Sequence, residues 1–255
     1  MSLEHHLDLV PLAADLRAAG GHKPLVASVD RAAAIGSIRD DLRNAAASLR
    51  IIRQMQEAES DRPEIVGGND DDATIFGALF TNAIILYARA TFTSGARPAL
   101  LGEEGLSADD KATHDEVKTL RNSVFAHYGR GEETEDGPIV RDAVVRSFNR
   151  NQYRYGVYTT RALHKVGLGA RMEALIVARL AQIEAKLQKL LDDVETRLND
   201  AASTDAALGR SLPQYEFDAD KFCASRGAAD HMRTRMSSGE LEDTDYTTAV
   251  PKPAT

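Results

Sequence analysis

The sequence has few of the residues that mark secreted, metal-binding or membrane proteins. Cys223 is the single cysteine, which excludes an intramolecular disulfide, and no histidine or cysteine cluster has the spacing of a structural zinc site. Tryptophan is absent and aromatic residues make up 5% of the chain, so large aromatic anchors for a core are scarce. We find no secretion signal and no apolar run long enough to cross a bilayer. These absences predict a cytoplasmic protein with no membrane contact, no bound metal and no cofactor.

The chain has fewer basic than acidic residues, and the basic residues are unevenly distributed along it. The net charge of −8 argues against broad electrostatic attraction to nucleic acid, because such binding depends on neutralising phosphates. Between Arg141 and Lys165, however, six basic residues stand against the single acidic residue Asp142. We therefore expect any contact with nucleic acid to be local.

Composition and periodicity predict an all-α protein. Of the 255 residues, 43% are apolar, which suits one core, and alanine, leucine, arginine, glutamate and aspartate dominate, which favours helix. We expect a loosely structured lead-in over residues 1–28 with a short helix from Leu12 to Ala19, and a helical domain over 29–205. A polar, poorly ordered tail is expected over 206–255.

Four long helices and one insertion account for the expected domain. The predicted helices run from the N-cap Asp30 to about Ala58, through the apolar stretch "IFGALFTNAIILYARATF", from Ala108 (capped by Ser107) to Tyr128, and from Leu168 to about Leu198. An insertion is expected at about 131–166, where Pro138–Arg146 and Gln152–Thr160 have the composition of a β-hairpin or an irregular loop excursion.

The stretch "LRNSVFAHYGRG" places charged and polar residues where an amphipathic helix should be apolar. On a straight helix Arg121 falls on the same side as Val117 and Phe125, where a charge needs a partner or a use. His127 then lies roughly 120° around the helix and about 9 Å further along it, so one helix does not bring the two side chains together. Two copies of the helix meeting at a two-fold axis do.

Arg121, Asn122 and His127 resemble the Arg-Asn-x4-His signature of HEPN domains, and "HDEVKTLRNSVFAHYG" is similar to the abortive-infection and toxin branch of that family. The resemblance covers about residues 30–200 and implies an antiparallel helical bundle that dimerises. It implies a composite, metal-independent RNA-cleaving site in which Arg121 stabilises the phosphate charge, Asn122 positions the phosphate and His127 acts as general acid or base. The chain is then a ribonuclease toxin or phage-defence effector, with an antitoxin or nucleotidyltransferase-like partner.

Additional residues are candidates for contact with RNA or for support of this site. Arginine interleaved with tyrosine suits phosphate neutralisation and base stacking, which selects Arg146, Arg150, Arg154, Tyr153 and Tyr155. Alternatively, these arginines pair with the acidic rest of the protein. Tyr128 and Arg89 are supporting candidates, and Arg89 with Asn82 equally suits a structural pair.

Three functions remain open from the residues alone. Arg and His supply a phosphate cation and a proton carrier without a metal, which suits RNA cleavage through the 2′-hydroxyl. A catalytically inactive HEPN-type module that binds RNA, nucleotide or a partner protein is the second. A plain helical interaction protein is the third, in which His127 contacts the helix-terminal carbonyls and Arg121 pairs with Glu116 or with another carboxylate.

Overall fold

The computed structural model describes residues 6–60, 70–92, 100–122, 133–134, 137–138, 140–149, 152–161 and 165–239. This part of the chain is mostly helical, with eight α-helices and two pairs of antiparallel strands. The expectation of an all-α protein with a small hairpin is confirmed. Contacts divide the chain into two compact units: Met1–Ala33 with Leu190–Thr255, and Ala34–Lys189.

The first unit consists of short helices together with one end of each of two long helices. Its complete helices are α1 (Leu9–Ala18), α6 (Ala206–Ser211), α7 (Ala219–Phe222) and α8 (Arg226–Ser237), with a 3₁₀ turn at Leu212–Tyr215. It also contains the start of α2 (Lys23–Ser60) and the end of α5 (Val166–Thr204). Its core joins Leu12 and Leu25 to Val194, Ala201 and Leu208.

This core corrects two expectations about the ends of the chain. Within the described part of the lead-in, α1 and the start of α2 are helical and bury Leu12 and Leu25, and the tail over 206–255 forms α6 to α8 within its described residues, up to 239. The polar composition of residues 206–239 predicted disorder, but a few apolar residues such as Leu208 anchor short helices there. Polar side chains cap the ends of these helices. Asp205, for example, accepts hydrogen bonds from the amides at the start of α6.

The start of α2 also differs from the prediction. The helix begins at Lys23, and Asp30 lies inside it, where its carboxylate pairs with Arg17 of α1 at 2.6 Å. An aspartate five residues before the apolar repeat that starts at Ile35 suits a cap, but the buried Leu25 and Val26 extend the helix in the N-terminal direction. Tertiary packing has therefore overridden the local capping signal.

The second unit contains the remaining length of the long helices and the hairpin. Its elements are the rest of α2, α3 (Asp70–Thr91), α4 (Ala108–Leu120), β1 (Glu133–Thr134), β2 (Gly137–Pro138), β3 (Val140–Asn149), β4 (Gln152–Arg161) and the first part of α5. β1 pairs with β2 and β3 with β4, both antiparallel. The buried residues include Ile38, Leu42, Ile84, Tyr87 and Leu168. The central and last long helices are confirmed.

Helix α3 is rich in apolar residues. Within the described ranges, α3 is the one helix that is long and apolar enough to cross a membrane, a property it shares with core helices of many proteins. Its side chains at Phe80, Ile84 and Tyr87 are fully buried within the second unit.

Two adjacent isoleucines of α2 test this packing. Ile52 is 2% exposed and Ile51 is 41% exposed. We expect Ile52→Ala to lower the free energy of unfolding by about 2 to 5 kcal/mol, because it leaves a cavity in the core. Ile51→Ala is the matched control and should change it by less than about 1 kcal/mol. Urea unfolding followed by circular dichroism measures both, and equal effects would contradict the assigned face of α2.

Candidate functional site

The helix that carries the Arg-Asn motif is fixed at its start and along one face. The Ser107 hydroxyl accepts a hydrogen bond from the Asp110 amide at 3.1 Å and caps α4, as the sequence predicts. Val117 and Leu120 are fully buried, so the last complete turn of α4 is held against the core. The helical path continues through Arg121 and Asn122 in a wider, π-type turn. The motif therefore begins at a well-anchored helix end.

Arg121 and Asn122 are both exposed, which corrects the expectation that Arg121 lies on the apolar side of the helix. That expectation assumed an unbroken α-helix to Tyr128, whereas the winding changes after Leu120 and the long arginine side chain extends into solvent. Arg121 Nη1 donates a hydrogen bond to Asn122 Oδ1 at 2.9 Å. The pair forms a polar surface at the end of α4.

Arg121 has no carboxylate partner among the described residues. The alternative in which it pairs with Glu116 is wrong, because Glu116 Oε2 instead accepts a hydrogen bond from Arg171 of α5 at 2.7 Å.

His127 and Tyr128 lie outside the described residues. The distance between Arg121 and His127, and the composite site formed by two copies of the helix, stay predictions. Within the described part of the chain, no group of three or more histidine, cysteine, aspartate or glutamate residues is arranged to hold a metal ion.

The hairpin that follows the motif presents aromatic side chains to solvent. Side chains alternate between the two faces of a strand pair, and directly opposed residues share a face. In the β3–β4 register Phe148 opposes Tyr153, Arg146 opposes Tyr155 and Val144 opposes Val157. We call these six residues the aromatic face. All are exposed.

Contacts within the aromatic face give it a defined surface. The Arg146 guanidinium carbon lies 3.6 Å from the centroid of the Tyr153 ring, and the rings of Phe148 and Tyr153 are 4.8 Å apart. Such cation–π and aromatic contacts restrain side chains that solvent would otherwise leave free. The structure thus brings together Arg146, Tyr153 and Tyr155 of the predicted RNA-binding set.

The other two predicted RNA-binding arginines are not on this face. Arg154 opposes Ser147, so it lies on the opposite face with Tyr158. Arg150 lies outside the described residues. The composition suggested one patch, but neighbouring residues of one strand point to opposite faces, so Arg154 is separated from Tyr153 and Tyr155.

Arg89 forms an ion pair with a buried carboxylate of the second unit, although its own side chain is 53% exposed. Its Nε donates to Asp41 Oδ2 at 2.9 Å, and its Nη2 contacts the other oxygen of the same carboxylate. Asp41 is buried, and it holds the pKa of Arg89 above its usual value through this bond. Asn82, on the same helix, donates to Ser48 Oγ at 3.0 Å. Both residues therefore bond side chains of α2, whereas the structural alternative expected partners within their own helix.

A buried polar cluster of Tyr87, His114 and Arg179 was not singled out from the sequence. The Tyr87 hydroxyl and His114 Nδ1 are 2.8 Å apart, and Arg179 is fully buried. The sequence does indicate a buried arginine: Arg179 follows Leu175 and precedes Ile183 at intervals of four residues, on the apolar stripe of α5. An arginine on such a stripe needs a reason to be buried.

An open groove of the first unit contains none of the predicted site residues. It has a volume of about 680 Å³ and lies between the 3₁₀ turn and α8, with Glu216, Phe217, Asp218 and Arg233 in its lining. Asp218 and Arg233 already bond other side chains, Lys221 and Asp220 respectively.

Comparisons with family models, with curated proteins and with solved structures find no match to this chain. The likeness to HEPN domains therefore rests on the motif residues themselves and on their position at the end of a helix.

The ion pair between Arg89 and Asp41 can be tested by a double-mutant cycle. Arg89→Met leaves a buried carboxylate without this partner, and we expect it to lower the free energy of unfolding by about 1 to 3 kcal/mol. Adding Asp41→Asn removes the carboxylate charge that Arg89 would have neutralised, so the double variant should lose less stability than the sum of the single variants. Strict additivity in urea unfolding would show that the pair does not contribute.

Proposed function

We propose that the chain is a HEPN-type, metal-independent endoribonuclease that acts as a toxin or phage-defence effector in the cytoplasm. The observation that supports this most directly is the exposed Arg121–Asn122 pair at the end of α4, with a guanidinium that no described carboxylate neutralises. A free cation on a rigid helix end suits recognition of a phosphate oxygen. The Arg-Asn-x4-His spacing supplies the histidine that the chemistry requires.

RNA contributes its own nucleophile to the proposed reaction. The 2′-oxygen attacks the adjacent phosphorus while His127 accepts the 2′-hydroxyl proton, and the bond from phosphorus to the 5′-oxygen breaks as that oxygen takes up a proton. The products are a 2′,3′-cyclic phosphate and a free 5′-hydroxyl. Arg121 stabilises the charge that develops on the phosphate oxygens, and Asn122 fixes its guanidinium. The reaction proceeds without a metal ion.

Dimerisation follows from the separation of the two charged residues. On one helix Arg121 and His127 point in directions roughly 120° apart, so a single copy does not direct both at one phosphate. In an isologous dimer the same segment of each chain meets its copy, and Arg121 of one chain lies beside His127 of the other. The two histidines then serve as general base and general acid.

The aromatic face of the hairpin supplies an RNA contact next to the motif in sequence. Phe148, Tyr153 and Tyr155 offer ring surfaces for unpaired bases, and Arg146 carries a positive charge between them. This face also favours the second candidate function, an RNA-binding module of HEPN type without cleavage activity. Variants at Arg121 and His127 distinguish a ribonuclease from an RNA-binding module without cleavage activity.

The motif prediction compares wild type with Arg121→Ala and His127→Ala in an RNA-degradation assay containing EDTA. Loss of a general acid–base or of an electrostatic stabiliser should lower cleavage by about 10²- to 10⁴-fold. Arg121 is exposed, so its replacement should leave the circular-dichroism spectrum and the dimer mass unchanged. Arg50→Ala, an exposed arginine on α2, is the matched control and should retain full activity.

The same assay identifies the mechanism through its products and its tolerance of chelation. Cleavage in EDTA with 2′,3′-cyclic phosphate ends is the expected result. Activity that survives His127→Ala, or that chelation abolishes, would reject this mechanism. RNA binding without any cleavage by the wild-type protein would leave the binding module as the function.

The hairpin prediction uses two tyrosines that are equally exposed but lie on opposite faces. Tyr155 is 70% exposed on the aromatic face, and Tyr158 is 68% exposed on the other. Tyr155→Ala should weaken binding of single-stranded RNA by about 1 to 3 kcal/mol, the usual contribution of one stacked base. Tyr158→Ala should have little effect.

Salt dependence separates stacking from phosphate contact at the same face. Arg146→Gln should reduce the slope of log affinity against log salt concentration by about 1, whereas Tyr155→Ala should leave the slope unchanged. Fluorescence anisotropy with a labelled oligonucleotide measures both quantities. Equal losses for Tyr155→Ala and Tyr158→Ala would contradict a one-sided RNA surface.

A further inference from the structure

The hairpin of β3 and β4 has two free edges within the described part of the chain. Its two strands pair from Val140↔Arg161 to Asn149↔Gln152, and the main contacts of each strand are with the other. In an antiparallel pair, every second residue of a strand directs its N–H and C=O groups away from the partner strand. The outer edge of each strand therefore carries backbone groups with which a further strand can pair.

The outer edge of β3 lacks the features by which proteins prevent a further strand from pairing. The strand contains no lysine and no proline, and its pairing with β4 runs over 10 residues without a bulge. The side chains of residues 142–148 are all exposed. A two-stranded hairpin alone is marginally stable in water, whereas a sheet of three or more strands is more stable. This edge therefore suits the addition of a strand.

Two-fold symmetry limits which residues of two β3 strands lie opposite each other. When β3 pairs antiparallel with β3 of a second copy, the two-fold axis is perpendicular to the sheet. The aromatic faces of both copies then lie on the same side, and residues on that side are opposed only to each other. In β3 this side holds the even-numbered residues, which include Asp142, Val144 and Arg146.

One symmetric register of β3 opposes unlike charges. With Val144 on the axis, Asp142 of each copy is directly opposed to Arg146 of the other, so the pair occurs twice. Asp142 is the one acidic residue of β3, and Arg146 is the one basic residue on its side, so every other symmetric register loses this pair. Opposite charges directly across an antiparallel pair stabilise it. β4 contains no acidic residue, so two β4 strands offer no such complementarity.

We propose that β3 pairs with β3 of a second copy of this chain, antiparallel and with Val144 on the two-fold axis. Residues 140–148 of the two copies overlap, and the two hairpins form one sheet in the order β4–β3–β3–β4. The two aromatic faces join into one larger surface and stay exposed, because the strands pair within the plane of the sheet. A guanidinium has five N–H donors, so the pair of Arg146 with Asp142 of the second copy leaves donors for a phosphate.

Disulfide trapping in the full-length chain tests the position of the axis. In a Cys223→Ser background, Val144→Cys places one thiol of each copy at the axis, where opposed Cβ atoms are about 4.5 to 5.5 Å apart. Oxidised glutathione should then produce a covalent dimer on a non-reducing gel. Val157→Cys is the matched control, because Val157 opposes Val144 on the same face and is 73% exposed against 79%. Its two copies lie about 15 Å apart and should not be trapped.

Charge reversal in the same Val144→Cys chain tests the register. Asp142→Arg alone, or Arg146→Asp alone, opposes like charges twice and should slow trapping about tenfold. The two substitutions together restore unlike pairs and should restore the rate. Arg154→Asp changes the net charge as Arg146→Asp does, but it lies on the opposite face and should leave the rate unchanged.

Two results would overturn the proposal. One is equal trapping at Val144 and Val157, or no trapping at Val144. The other is a double charge-reversal variant that is trapped as slowly as the single variants. The assay contains no RNA and leaves Arg121, Asn122 and His127 unchanged, so the strand pairing and the proposed ribonuclease activity succeed or fail separately.

Discussion

Charged side chains in the core of the second unit are costly unless another group neutralises them. Removing a charge from water costs several kcal/mol, and that cost is offset only by a close partner with good hydrogen-bond geometry. Asp41 meets the condition through Arg89, and Arg39 through Glu184. These pairs link α2 to α3 and to α5, so the constraint also fixes which helices lie together. Arg179 is the position at which the described chain leaves the constraint unmet.

The same constraint explains why two arginines of similar sequence context differ in role. Both arginines lie near the end of a helix, and from the sequence Arg89 is a candidate to support the site at Arg121. Arg89 pairs with the buried carboxylate of Asp41. Arg121 is exposed just beyond the last buried turn of α4, where no carboxylate of the described residues pairs with it. Arg89 therefore helps to hold α3 against α2.

Sequence periodicity predicted the elements that bury a continuous stripe. α3, the capped start of α4, α5 and the hairpin all follow from spacing and capping residues. It failed where tertiary contacts outweigh local signals, as at Asp30, whose side chain pairs with Arg17 instead of capping a helix. It also failed for residues 206–239, because a few anchors such as Leu208 order a polar segment. The direction of the Arg121 side chain depends on how the helix winds after Leu120, which residue spacing does not predict. The partners of Arg179 depend on tertiary packing, which residue spacing does not predict either.

The hairpin and the buried cluster use arginine in opposite electrostatic environments. An isolated two-stranded hairpin is marginally stable in water, and β3 and β4 leave their rings exposed, so stability of a core does not explain the aromatic face. The charge of Arg146 on the aromatic face is screened by salt over about 10 Å at 0.1 M ionic strength. Arg179 is fully buried, where solvent screening is weak and charges interact more strongly. Burial, more than residue type, therefore decides how strongly each arginine interacts with the charges around it.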